Sequence, residues 1–120
     1  MKRDLESKAD IEKFLTEFYS AALRNEVLKD KFIHLNMAHH IPLIANFWSS
    51  IIFFDQSYDG NPFVKHKEMG LTHEHFAVWL QLFHQTMDEM YTGNNADEMK
   101  KRADSIAQVF QHKLGITSGF

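Results

Sequence analysis

The sequence is poor in the residues that interrupt or cross-link a chain. It contains no cysteine, two prolines and five glycines among 120 residues. The absence of cysteine excludes disulfides, cysteine-ligated zinc sites and iron–sulfur clusters. The scarcity of proline and glycine favours uninterrupted helices. Lysine and arginine are scattered and the net charge is −3, so the composition does not favour a nucleic-acid partner.

Long hydrophobic runs are also missing, and none approaches the length of a membrane-spanning helix. The first ten residues, MKRDLESKAD, lack the apolar core of a signal peptide. We therefore expect a cytoplasmic protein with no membrane partner. The length corresponds to one domain, residues 1–120.

Aromatic residues are abundant, with eleven Phe, three Tyr and two Trp. So many rigid rings in a small chain either pack against one another or line a cavity for a large flat ligand. Among the residue types present, histidine is the clearest metal ligand, and there are eight.

Apolar residues recur at helical spacing in long segments, and no segment alternates with the period of a strand, so we predict an all-α fold. The first helix follows Ser7, which begins a sequence that resembles a capping box. A short helical stretch is expected within residues 25–37. The next helix is expected to begin between His39 and Pro42, because proline is tolerated in the first turn of a helix.

The second half of the chain contains two further helices. Thr72 is expected to cap the first of them. Asn94 or Asn95 is expected to cap the last helix, and Gly115 to end it. Between the two halves, residues 55–71 show no long period, and a stretch of this kind in a compact domain is usually functional or partly disordered.

Three polar side chains are expected to face the apolar core. His40 shares one helical face with Ile44, Phe47 and Trp48, while Tyr19 and Trp79 lie on the apolar faces of two other helices. Taken singly, each has a plainer interpretation: a surface histidine at a frayed helix start, and aromatic core residues. Together, a phenol, an imidazole and an indole facing one core indicate a common hydrogen-bond acceptor.

His66 is the one histidine in the irregular stretch of residues 55–71, and it is flanked by Lys65 and Lys67. Taken alone, it would be interpreted as part of a solvated turn. The remaining histidines are expected at the surface: His34, His73, His75, His84 and His112.

At these residues the sequence resembles the truncated haemoglobins, specifically the third group of that family, the small bacterial globins of the Campylobacter type. The resemblance runs from about residue 10 to about residue 112. Its motifs follow in the family's order: Phe18-Tyr19, Ile44-Ala45-Asn46-Phe47-Trp48, Tyr58-Asp59-Gly60-Asn61-Pro62, Lys65-His66 and Trp79-Leu80-Gln81-Leu82-Phe83. The fold that this resemblance implies is a two-over-two helical sandwich.

The resemblance also implies a role for individual residues. His66 matches the proximal histidine that ligates the haem iron. Tyr19, His40 and Trp79 match polar residues of the distal pocket, where small ligands bind. The other haem contacts expected on this basis are Phe32, Ile44, Phe47, Trp48, Phe63, Phe76 and, near the propionates, Lys65.

The function implied is binding of O2, NO, CO or similar ligands at a ferrous haem. Without cysteine the cofactor would be haem b, held non-covalently. Two or three hydrogen-bond donors beside a negatively charged ligand imply slow release. We therefore expect chemistry of the nitric oxide dioxygenase or peroxidase type, with a separate reductase, more than oxygen transport. The alternatives are a haem-based sensor and a haem-free helical module that binds a protein or a small ligand.

One residue departs from the family's pattern. Pro42 lies two residues after His40, where the family has regular helix. We expect His40 to lie in the first turn of its helix and to swing between pocket and solvent.

Overall fold

The computed structural model describes residues 2–56, 58 and 69–116. Within these ranges the chain forms helices and no strand. The helices are α1 (Lys8–Leu23), α2 (Lys29–Phe32), α3 (Met37–Ile52), α4 (His73–Met90) and α5 (Asn94–Lys113). Helix α1 packs against α3 and α4, α4 packs against α5, and α5 also contacts α3. The predicted all-α fold is confirmed, with the pair α1 and α3 layered on the pair α4 and α5.

Every helix in the described ranges is too short or too polar to cross a bilayer. The cytoplasmic location expected from the sequence stays a prediction.

Helix α1 begins after Ser7, as predicted, but the predicted capping box is wrong. The Ser7 side chain makes no capping hydrogen bond. The carboxylate of Asp10 instead accepts from Arg3 Nη2 at 2.7 Å and from the backbone N–H of Glu6 at 2.8 Å. A charged, two-pronged guanidinium is a stronger partner than one backbone amide. The Arg3 guanidinium accordingly holds the pKa of Asp10 well below its usual range.

The start of α5 also depends on the N-terminal segment. Neither Asn94 nor Asn95 caps this helix, because the carboxylate of Asp4 accepts from the backbone N–H groups of Asn95 and Ala96, each at 2.9 Å. Gly93 lies before the helix with φ +141°, and a Cβ there would lie 2.5 Å from Asp4 Cγ. Only glycine allows Asp4 to approach this closely.

The end of α5 follows the sequence prediction. Gly115 has φ +72° and donates to the carbonyl of His112, while Ile116 donates to the carbonyl of Gln111. These two bonds define a Schellman motif, in which glycine takes the left-handed conformation.

The N-terminus of α4 is also as predicted. The Thr72 hydroxyl accepts from the backbone N–H of His75, and the His75 ring accepts from the backbone N–H of Thr72.

Helix α3 begins earlier than the sequence indicates. It starts at Met37, and the first helical hydrogen bond runs from His40 N to the carbonyl of Asn36 at 2.8 Å. Pro42 therefore lies inside the helix, so the expected start between His39 and Pro42 is wrong. Pro42 leaves the carbonyl of Ala38 without its helical donor, and Ala38 is exposed, so water can reach it.

This early start predicts that Pro42→Ala stabilises the protein. The substitution restores one hydrogen bond and removes the clash of the ring with the preceding turn, together about 3 kcal/mol in a helix interior. Greater freedom of the unfolded chain offsets roughly 0.4–1 kcal/mol of this. Because Pro42 is exposed, little packing is lost, and urea unfolding should show a gain of roughly 2 kcal/mol. If Pro42 instead occupied the first helical position, the variant would have unchanged or lower stability.

Candidate functional site

A cavity of about 370 Å³ lies among the five helices, and each of them contributes to its wall. Its volume falls within the range of small-molecule and cofactor sites, roughly 300–1,000 Å³. Most of the lining is apolar. The polar and polar-tipped side chains on its walls are Tyr19, Lys31, Asn36, His39, His40, Trp48, Tyr58, His75 and Trp79.

The back wall of the cavity is a set of aromatic rings in mutual contact around Phe18. The ring of Phe18 lies 5.1 Å from that of Tyr19, 5.9 Å from Trp79 and 5.5 Å from Phe83, each in an edge-to-face arrangement. Such arrangements are favourable beyond simple burial. They fix the direction of each ring, so the polar tips of Tyr19 and Trp79 are held by packing.

Tyr19 and His40 form a hydrogen-bonded pair in the cavity wall. His40 Nε2 lies 3.0 Å from the Tyr19 hydroxyl, and the two rings are 5.0 Å apart. Burial raises the pKa of Tyr19, so its phenol stays neutral. His40 is the fourth residue of α3 and so lies in the first turn, as expected. Its ring nevertheless lines the cavity, where it contacts Tyr19.

The indole of Trp79 has no hydrogen-bond acceptor among the residues that the structure describes. In the described part of the chain, no side chain or backbone group accepts a hydrogen bond from its N–H, and no fully buried polar side-chain atom is left unpaired. The Trp79 nitrogen therefore keeps some accessible surface. Because Trp79 lines the cavity, an acceptor bound there would satisfy it.

The described ranges contain most of the residues expected to contact a haem, and all of these line the cavity: Phe32, Ile44, Phe47, Trp48 and Phe76. Of these, Phe32, Trp48 and Phe76 are buried. The predicted iron ligand His66 and the predicted contacts Phe63 and Lys65 lie outside the described residues. The roles of all these residues stay predictions.

Five polar residues of the cavity wall were not expected there from the sequence: Lys31, Asn36, His39, Tyr58 and His75. His75 was placed at the surface, which is wrong, because its ring is half-buried and lines the cavity. Lys31 also lines the cavity, and its ammonium group donates to the carbonyl of Met69 at 2.8 Å. That contact joins residues 38 positions apart, and no local sequence pattern indicates it.

Comparison with known proteins agrees with this geometry. No family model matches the chain. The group 3 truncated haemoglobin of Campylobacter jejuni is 26% identical over 121 aligned positions, which cover 95% of this chain and 95% of that protein. The crystal structure of the group III truncated haemoglobin from Campylobacter jejuni matches with a TM-score of 0.85 over 95% of each chain. The resemblance to the group III truncated haemoglobins is therefore confirmed, in sequence and in three-dimensional fold.

Proposed function

We propose that the cavity binds haem b non-covalently, that His66 ligates its iron, and that Tyr19, His40 and Trp79 face a diatomic ligand. The truncated haemoglobin family implies haem-based binding of small ligands. The observation that carries the proposal is the convergence of three polar side chains, from three helices, on one apolar cavity.

The residues present fit a haem. Its ring is a large apolar disc, and the cavity supplies mostly apolar walls. A haem needs one strong protein ligand, and the resemblance implies that His66 is this ligand. The unpaired N–H of Trp79 supplies a donor for a ligand at the iron.

When bound, a ferrous haem would supply a position for small ligands, of which O2 accepts more negative charge than CO. The hydrogen bond between Tyr19 and His40 can run in either direction, with the Tyr19 hydroxyl or His40 Nε2 as the donor. With the proton on His40 Nε2, the imidazole donates to the Tyr19 oxygen and leaves the Tyr19 hydroxyl proton free for the ligand. His40 thus orients Tyr19, while Trp79 donates from α4.

Two well-held donors suit slow release of a charged ligand. Each donor to a charged acceptor contributes roughly 1.5–3 kcal/mol, and a carrier must release its oxygen readily. The proposed chemistry is therefore oxidation of nitric oxide or reaction with peroxide, with oxygen transport the less suited role. Return of the iron to the ferrous state needs electrons from outside the chain, so a separate reductase belongs to the proposal.

Replacement of His66 tests the iron ligand. His66→Gly should lose the five-coordinate ferrous spectrum of the wild type and bind haem more weakly, because no protein nitrogen remains on that side of the ring. Free imidazole should restore both properties by occupying the space that the side chain vacates. His34→Gly is the matched control, since His34 is exposed, and its spectrum should not change. A His66→Gly variant with wild-type spectra would assign the ligand to another histidine.

Trp79 can be tested by separating its donor from its bulk. Trp79→Phe removes the N–H and keeps an aromatic ring, whereas Trp79→Leu removes both. If the indole donates to the ligand, both variants should release O2 about tenfold or more faster in stopped-flow experiments, with a smaller change for CO. Faster release of both gases from the Leu variant alone would mean that Trp79 acts by its size.

Tyr19 and His40 should act in series. Tyr19→Phe removes a buried donor and should quicken O2 release about tenfold to a hundredfold. His40→Leu should have a clearly smaller effect, because His40 bonds to Tyr19, and the double variant should be no faster than Tyr19→Phe alone. Tyr91→Phe is the matched control, since Tyr91 bonds to Asp10 and does not line the cavity. A larger effect of His40→Leu, or additive effects, would make His40 a direct donor to the ligand.

A further inference from the structure

One edge of the cavity contains two hydrogen-bond donors that the proposed ligand site does not use. Lys31 lies on α2 and His75 on the first turn of α4, and both line the cavity beside Met69 and Leu71. The two groups are close enough for the charge of Lys31 to lower the pKa of His75, although desolvation by burial is the larger cause.

The hydrogen bonds of His75 determine which of its nitrogens carries the proton. The backbone N–H of Thr72 lies 2.8 Å from His75 Nδ1 and can only donate, so Nδ1 must accept. The proton of the neutral ring is then on Nε2. Among the described residues this second nitrogen has no hydrogen-bond partner, so it is available as a donor to a bound group.

Lys31 is half-buried, and its ammonium group has few partners in the part of the chain that the structure describes. Within the described ranges no carboxylate forms an ion pair with it, and its one protein partner is the Met69 carbonyl, at 2.8 Å. A Cβ at Gly70 would lie only 3.5 Å from Lys31 Nζ, so the ammonium packs over the glycine backbone. One bond to a carbonyl leaves two of its three hydrogens for another acceptor.

We propose that Lys31 and His75 form a carboxylate-binding site at the edge of the cavity and that its ligand is a propionate of the haem. An ammonium and a neutral N–H donor fit the two oxygens of a carboxylate, and the negative charge would pair with the positive charge of Lys31. This inference rests on the proposed haem function. It adds two residues to Lys65, the residue expected near the propionates, which lies outside the described ranges.

Haem dimethyl ester, whose propionates are uncharged, tests this proposal. Four proteins would be loaded with haem or with the ester: the wild type, Lys31→Met, His75→Phe and the double variant. Transfer of the bound haem or ester to excess apomyoglobin would then be followed by absorbance. We expect each single variant to lose haem about tenfold to a hundredfold faster than the wild type, which corresponds to one hydrogen bond to a charged group. All four proteins should lose the ester at similar rates.

Two controls match the substitutions. Lys29→Met changes a residue of the same short helix, and the side chain of Lys29 pairs with Glu26 outside the cavity. His73→Phe changes an exposed residue two positions before His75. Neither should change the loss of haem.

The outcomes separate the carboxylate site from the haem function. If the variants lose haem and the ester faster by the same factor, Lys31 and His75 support the fold. If the variants lose haem at the wild-type rate, the two residues do not bind it. Either result overturns the proposal. If acetate slows loss of the ester while all variants lose haem at the same rate, the site binds a free carboxylate. That result would overturn the proposal that its ligand is a haem propionate. A wild type that retains neither haem nor the ester would instead refute the proposed function.

Discussion

The contacts of the Phe18 ring determine the shape of the interior. Phe18 packs edge-to-face on Tyr19, Trp79 and Phe83 and is almost fully buried, so it joins α1 to α4 through rigid groups. Aromatic rings cannot shorten or bend to fill a neighbouring gap. Two helix layers joined through such rings therefore leave space beside them, and that space is the cavity that we assign to haem.

The polar side chains of the cavity divide into two groups with different chemistry. Tyr19, His40 and Trp79 are polar groups around the back of the cavity, suited to a small ligand that gains partial charge. Lys31 and His75 lie at the edge, where a full negative charge can be paired and remain near water. A haem has this same division, with an open coordination position at the centre of its ring and carboxylates at one edge.

The sequence was sufficient to predict the helices and part of the cavity wall, because the apolar spacing and the family motifs are properties of continuous segments. Phe32, Ile44 and Trp48 line the cavity, and their contact with haem stays a prediction. The features that it missed depend on residues far apart in the chain. Asp4 caps a helix some 90 residues later, and Lys31 reaches Met69. The start of α3 was misplaced because a local rule for Pro42 gave way to a helix that packs against α1 and α5.

The most direct test of this account is an absorption titration of the purified, haem-free protein with haemin. The account predicts a sharp Soret band that saturates at one haem per chain, because the resemblance implies one iron ligand beside the apolar cavity. The haem-loaded protein should also unfold at a higher temperature than the haem-free protein, since a ligand that binds only the folded state stabilises it. A broad, unsaturated absorption with no change in unfolding temperature would contradict the account, and the cavity would then belong to a different ligand.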